Sequence, residues 1–468
     1  MATAQFGMIG LGTMGRNLVL NMADHGIRVC GYDRNMDQLN RLLEEGKDKP
    51  VQVADSMSAF VDSLETPRRI MMLVPAGKIT DAVIDEISPI LQPGDILIDG
   101  GNSHFLDTDK RIERLKNTGV HFTGMGVSGG EDGARLGPSM MPGGNKESYA
   151  ELKDILEKIA AQTDEGACVA FVGNGSAGHY TKMVHNGIEY AIMQLISEVY
   201  AVLKNVCDCS NDELHAIFIE WNNGKLQSFL MEITAKIFLQ PDDVDGSKKL
   251  VDMILDKAAQ KGTGMWTSQS ALDLHVPTTV IDEAVAARIL SSFKIERTII
   301  AGFATAALQV KPEDKKEMIQ SLQDALYFGM TISYVQGLHL LQAASANFKY
   351  EIDIAEVVRI WKGGCIIRSA MLNDIRKAYL NNDHLLNLLM DNTFYLLINQ
   401  HRKSVTNVIK IAMDNQIAMP ALCSSLQYTD MFSTGRLGSN LIQAQRDFFG
   451  AHTYERTDKE GSFHTNWS

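Results

Sequence analysis

Apolar residues recur along the first third of the chain in short, nearly continuous runs. QFGMIG (5–10), IRVCGYD (27–33), RIMMLV (69–74), DILIDG (95–100), VHFTGMGV (120–127) and CVAFVG (168–173) read as strands covered on both faces. Between several of them lie amphipathic stretches such as MGRNLVLNMADHG and ITDAVIDEISPIL. Strand and helix patterns in alternation predict a doubly wound α/β domain over residues 1–176.

From about residue 177 the pattern changes to long Ala/Leu/Met/Ile-rich segments at helical spacing: 178–206, 211–237, 248–260, 279–308, 314–345 and 352–379. Only Pro241, Pro277, Pro312 and Pro420 interrupt this half, against seven prolines before it. An all-helical domain over 177–433 is predicted, followed by a tail, 434–468, richer in Gly, Ser, His and aromatic residues. The helical part also repeats itself. LHAIFIEWNNG (214–224) aligns with IAEVVRIWKGG (354–364) at an offset of 140 residues, with W-x-x-G and the apolar frame in phase.

Composition narrows the function classes. At 468 residues and 45% hydrophobic, the chain has material for two or three cored domains. A net charge of −13 without a long basic run argues against nucleic acid as partner. No apolar run is long enough for a membrane span, and MATAQFGMIG leads into a strand without a secretory leader, so a cytoplasmic protein is expected. The six cysteines form no CxxC pair and read as reduced thiols.

GLGTMG places Gly10, Gly12 and Gly15 in a G-x-G-x-x-G turn between a strand and a helix, the context of a Rossmann-type dinucleotide site. Gly10 allows the tight turn, Gly12 the approach of a pyrophosphate, and Gly15 close helix–strand packing. The helix N-terminus supplies N–H donors. Asp33, at the end of the next strand, suits the ribose hydroxyls of NAD, whereas Arg34 suits the 2′-phosphate of NADP; the two signals conflict.

In KMVHNGIEY (182–190), Lys182, His185, Asn186 and Glu189 share one face of a helix. At the usual rise Lys182 and Glu189 stand about 10 Å apart along the axis, room for a small substrate. A solvated charged stripe is the plainer reading of such a face. Against it, the repeat puts Leu322, Ala325, Leu326 and Gly329 at the corresponding positions, so the fold does not need polar groups there. GVSGGEDGARLGPSMMPGG (126–144) reads as a glycine-rich anion-binding loop after a strand, and KGTGMWTSQSA (261–271) as a phosphate cradle or an ordinary loop.

These motifs, with DGGNSHF (99–105) and the tail QAQRDFFGAHTYER, resemble the 6-phosphogluconate dehydrogenase family from end to end. The resemblance implies oxidative decarboxylation of 6-phosphogluconate to ribulose 5-phosphate and CO2 in the pentose phosphate pathway, with NADP or NAD and without metal. It implies Lys182 as general base and Glu189 as the acid that protonates C1 of the enediol left after CO2 departs. It implies cofactor contacts from Gly10, Leu11, Gly12, Thr13, Met14, Gly15, Asp33, Arg34, Asn35, Val74, Ala76 and Asn102. For the sugar acid it implies Asn102, Ser128, Gly129, Gly130, His185 and Asn186, and around its phosphate Tyr190, Lys261, Thr263 and Arg288. Arg446 and His452 match tail residues that family members insert into the partner's site, which implies a homodimer with shared active sites. Two alternatives stand beside this reading: a β-hydroxyacid dehydrogenase that does not decarboxylate, and a non-catalytic dinucleotide-binding scaffold.

Two departures concern the cofactor. Members that use NADP usually carry Asn-Arg-Thr or Asn-Arg-Ser where this chain has Asp33-Arg34-Asn35, and M-V-K-A-G where it has LVPAG, with Pro75 replacing lysine. Substantial use of NAD is therefore expected. Parallel measurement of kcat/KM for both cofactors checks this; a preference for NADP above about a hundredfold, about 2.7 kcal/mol, would overturn it.

Overall fold

A computed structural model describes residues 3–303 and 310–467. The N-terminal part is an eight-stranded sheet in the order β10-β7-β6-β5-β4-β1-β2-β3. Its strands are β1 (Phe6–Ile9), β2 (Val29–Tyr32), β3 (Val51–Val53), β4 (Arg69–Met72), β5 (Ile96–Asp99), β6 (His121–Ser128), β7 (Ser139–Gly144) and β10 (Gly173–Asn174). A small hairpin, β8 (Gln162–Thr163) with β9 (Gly166–Ala167), precedes β10. All neighbours pair parallel except β6 and β7, which run antiparallel. The two-sided burial expected of parallel strands is seen residue by residue. Ile96 and Ile98 join one apolar cluster and Leu97 the other, as do Met71 against Ile70 and Met72.

The predicted doubly wound pattern is present, with three differences. CVAFVG forms ladder only at its end, in β10; the rest attaches to β7 through single bonds such as Val172 N–H to Pro142 O (2.9 Å). The sequence pattern does not predict the three-residue β3, because VQV is too short to show a period. GVSGGEDGARLGPSMMPGG is not a loop: it is the end of β6, a helix Gly130–Leu136 and the whole of β7.

The second part is helical. The helix Ala177–Asn205 packs along Lys315–Phe348, and one apolar cluster surrounds both. Four predicted helices are broken or shortened. The 211–237 segment is two helices, Asn211–Asn222 and Phe229–Leu239; the second starts at Ser228, whose side chain accepts the Met231 N–H. The 352–379 segment is Ile354–Ile360 and Met371–Asn381, parted by Gly363 and a left-handed Gly364 (φ 63°). Only Leu250–Met253 of 248–260 is helical: Met253, Ile254 and Leu255 stay exposed, with no apolar surface to pack on among the described residues. The 279–308 segment appears as Thr279–Ser292 and Lys294–Ala301, and residues 304–308 lie outside the described residues. A two-stranded ribbon, β11 (Tyr454–Glu455) with β12 (Ser462–Phe463), ends the tail. Among the described residues no helix is long and apolar enough to cross a membrane.

The repeat extends further than its sequence match. Thr263–Asp273 and Thr279–Ser292 have counterparts, at nearly the same offset, in Arg402–Asp414 and Pro420–Phe432. Leu322, Ala325 and Leu326, the positions matching Lys182, His185 and Asn186, are fully buried in the core.

Glycine sets how closely the two parts join. A Cβ on Gly178, in the first turn of the Ala177–Asn205 helix, would lie 2.1 Å from Gly124 O and 2.4 Å from Met141 O. Both are backbone atoms of the sheet, which cannot move aside cheaply. Gly178→Ala is therefore expected to destabilise the protein by about 3 kcal/mol. Gly246→Ala, where nothing lies within 4 Å, should stay within about 0.5 kcal/mol of the parent. Denaturant midpoints of the two variants measure the contrast.

Candidate active site

The dinucleotide turn follows β1. Gly10 is left-handed (φ 91°), and a Cβ there would meet Leu73 O at 2.5 Å. Gly15 faces Gly10 O so closely that a Cβ would sit 1.9 Å from it, while at Gly12 a Cβ would meet nothing within 4 Å. One glycine thus makes the turn, one packs the helix, and one leaves its surface open to a ligand. Thr13 opens the helix, with Met14 following. The Asp33 carboxylate braces the turn: Oδ2 accepts the Leu11 N–H (2.7 Å) and Oδ1 the Asn35 N–H (2.9 Å). Arg34 pairs with Glu86 at 2.5 Å.

These elements enclose a cleft of about 490 Å³ whose lining includes Gly10, Gly12, Asp33, Arg34, Asn35, Val74 and Pro75. Leu11, Thr13, Met14, Gly15, Ala76 and Asn102 are not in its lining. An open glycine face at a helix N-terminus and a carboxylate at the end of β2 fit an adenine dinucleotide. A larger cleft, about 590 Å³ around Gln342, Lys349 and Tyr379, has neither feature.

Asn102 is exposed on the turn after β5. That turn is held from below: Asp99 accepts from Gly101 N–H (3.0 Å), Ser103 Oγ (2.6 Å) and Arg111 Nη1 (3.0 Å). Arg111 is itself buried and donates onward to Gly77 O (3.2 Å) and Asp81 (2.8 Å). One guanidinium therefore ties the Asn102 turn to the segment after Val74, Pro75 and Ala76.

The Ala177–Asn205 helix carries Lys182, His185, Asn186, Glu189 and Tyr190. Lys182 is only 7% exposed, with its Cβ against Gly126 of β6. Burial pushes its ammonium below the ordinary lysine range, opposed in part by Glu189 and Cys365. Burial pushes the Glu189 carboxyl upward, opposed by Lys182 and Arg288. His185 is fully buried and held well below the usual range, first by burial and then by Lys182. With the imidazole held neutral, the 3.9 Å approach of His185 Nδ1 to Glu189 is no ion pair. His185 Nε2 lies 3.1 Å from Ser128 Oγ, and its Nδ1 lies 3.1 Å from Asn186 Oδ1. Asn186 Nδ2 in turn donates to Thr263 Oγ1 (3.1 Å).

Gly129 and Gly130 follow Ser128, both with positive φ, at the start of the Gly130–Leu136 helix. The KGTGMWTSQSA stretch is mostly helix rather than loop: Gly262 is left-handed and Thr263–Asp273 is helical, so free N–H groups begin at Thr263. Lys261 is exposed beside that terminus. The Arg288 guanidinium stacks on the Tyr190 ring at 3.7 Å. Arg446 and His452 lie elsewhere: Arg446 bonds Gln443 and His452 packs edge-on against Phe449, and no hydrogen bond or ion pair joins either to the Lys182 cluster among the described residues.

The second repeat supplies part of the site. Trp361 meets the His185 ring edge-on at 5.7 Å. Gly364 O accepts the Ser139 N–H (2.8 Å), and Ile366 N–H points at Ser128 Oγ (3.5 Å). The sequence signal for this contact is the GG pair that closes the repeat segment IAEVVRIWKGG, which marks a chain reversal facing something close.

Residues 5–173 match the NAD binding domain of 6-phosphogluconate dehydrogenase, and residues 178–467 match 6-phosphogluconate dehydrogenase, C-terminal domain. The chain belongs to the 6-phosphogluconate dehydrogenase family. It is 49% identical to the NADP(+)-dependent, decarboxylating 6-phosphogluconate dehydrogenase of Bacillus subtilis, over 100% of both chains. It is 48% identical to the decarboxylating enzyme of Synechococcus elongatus, again over 100% of both. The solved structure of Plasmodium falciparum 6-phosphogluconate dehydrogenase, described apo, with its cofactor NADP+ and with its substrate 6-phosphogluconate, superposes with a TM-score of 0.95 at 42% identity, covering 99% of this chain and 100% of that one.

Proposed function

We propose that the chain oxidatively decarboxylates 6-phosphogluconate to ribulose 5-phosphate and CO2. The observation that carries this is a buried lysine and a half-buried carboxyl, seven residues apart on one helix face, with their proton affinities driven toward each other. NADP or NAD, bound in the β1–β2 cleft, supplies the hydride acceptor.

Lys182, neutral in its buried setting, takes the proton of the C3 hydroxyl. It then stays near the new C3 carbonyl as an ammonium and polarises it while C1 leaves as CO2. A β-keto acid carries its own electron sink, so an ammonium and hydrogen-bond donors are enough to stabilise the enediolate that forms. Glu189, whose proton burial helps to retain, delivers it to the enediolate carbon that was C2 of the substrate and becomes C1 of ribulose 5-phosphate. Ser128, Gly129, Gly130, His185, Asn186 and Asn102 hold the hydroxyls and carboxylate. Lys261, Arg288, Tyr190 and the Thr263 helix N-terminus hold the phosphate. A chain of net charge −13 thereby gathers its cations where an anionic substrate needs them.

The protein acts as a homodimer in this reading. Large apolar side chains stay exposed at Met253–Leu255, at Leu290, Phe293, Ile295 and Ile300, and along the tail at Leu441, Ile442, Phe448 and Phe449. A soluble chain covers surfaces of that kind with a partner. Arg446 and His452, which make no bond to the Lys182 cluster of their own chain among the described residues, then complete the partner's phosphate pocket.

CO2 release from 6-phosphogluconate, measured with each cofactor, tests the function; dehydrogenation without decarboxylation would overturn it. The rate should fall on the acid side as Lys182 becomes protonated and on the alkaline side as Glu189 ionises. Glu189→Gln should cut kcat by about 10²- to 10⁴-fold and remove the alkaline limb. Turnover unchanged in Lys182→Ala would remove the lysine from this role.

A further inference from the structure

The tail buries a charge where it buries nothing else. Between Met431 and Trp467, Asp447 is the one buried residue among the described residues. Both its oxygens are engaged. Oδ1 accepts the Thr453 N–H (2.9 Å) and lies 2.9 Å from His464 Nδ1. Oδ2 accepts the Thr465 N–H (3.1 Å) and the Trp467 Nε1–H (2.8 Å). Burial pushes the carboxyl up, but these donors together outweigh it and hold the group well below the usual carboxylate range.

The same residue sets the backbone around His452. Asp447 O accepts the Ala451 N–H (2.9 Å) as the Ser439–Gly450 helix ends. Ala451 (φ 49°) and Thr453 (φ 61°) are both left-handed, so His452 sits between two residues in a conformation that L side chains rarely adopt. Such backbone persists only where its surroundings determine it. Gln443 adds a cross-tie: its Nε2 donates to Thr453 O (2.5 Å) and its Oε1 accepts from Arg446 Nη1 (3.1 Å). Gly450 leaves room for the imidazole; a Cβ there would fall 2.7 Å from His452 Nε2.

We propose that Asp447 is a positioning residue for substrate binding, folding the tail into a preset unit that presents Arg446 and His452 to the partner's phosphate pocket. The inference rests on the shared-site reading given above. Presetting matters because a tail without an apolar core would otherwise lose its conformational freedom only on meeting substrate, at the expense of affinity.

The test is steady-state kinetics of the full-length dimer. Asp447→Asn turns an amide N–H toward one pair of donors, where an oxygen had accepted. It should raise KM for 6-phosphogluconate by about tenfold or more while kcat stays within about threefold and KM for the dinucleotide is unchanged. Deleting residues 464–468 removes three of the four donors, leaves Arg446 and His452 in place, and should act the same way. Arg446→Ala calibrates both. If it raises KM while Asp447→Asn and the deletion keep the parental KM, Asp447 does not position the tail. If Arg446→Ala itself leaves KM unchanged, the shared-site reading fails instead. Loss of the dimer in Asp447→Asn with Arg446→Ala still dimeric, read by light scattering, would also overturn the proposal, since the aspartate would then hold the subunits together rather than aim the arginine.

Discussion

Everything at the candidate site depends on how closely the Ala177–Asn205 helix approaches its neighbours. Gly178 brings it onto the backbone of β6 and β7, and Gly124, Gly126 and Gly143 receive it from the sheet side. Gly187 admits Thr267, Gly264 admits the Tyr190 ring, and Gly337 admits Ile188. At each contact a missing Cβ is filled by a neighbour, so the helix cannot slide or turn without overlap. That closeness buries Lys182. A lysine on a helix resting on larger side chains would reach water and stay charged; set against Gly126 it lies in the wall between the two parts, and desolvation does the rest.

The electrostatic consequence is a site with few charges of its own. Burial favours a neutral Lys182, a neutral His185 and a protonated Glu189. The nearest guanidinium, Arg288, lies close enough to Glu189 to oppose the rise of its carboxyl. Arg288 loses part of its hydration by stacking on Tyr190, which leaves it more responsive to a phosphate than a solvated side chain would be.

How much of this was legible in the chain divides by range. The dinucleotide turn, the sheet and the Lys182–Glu189 face are local patterns, and their spacing carried them. What stayed hidden depends on contacts between distant segments. VSGGEDGARLGPSMMPGG looks like a loop because its glycines suppress both periods, yet Gly143 lies against the 177–205 helix, Gly144 against β6 and Gly129 against Gly364 of the second repeat. Trp361 reaches His185 only because the second repeat folds back over the first, which no local window records. The 248–260 stripe has the right period and no partner surface among the described residues, and periodicity without a surface to bury does not make a helix.

The duplication explains how one helical plan came to serve two purposes. The Lys315–Phe348 helix keeps the frame of the first copy but has Leu322, Ala325, Leu326 and Gly329 where that copy has its polar set, and Gly329 gives Leu195 room to pack. It is the buttress. The segment that follows each copy diverges in the opposite sense. After the first, Trp221 lies in the core against Phe218; after the second, Trp361 and Gly364 turn toward His185, Ser128 and β7. One repeat therefore contributes the polar face of the candidate site and the other its backing and part of its wall. The polar cluster at the head of a buried helix is tolerated because the apolar copy stands behind it.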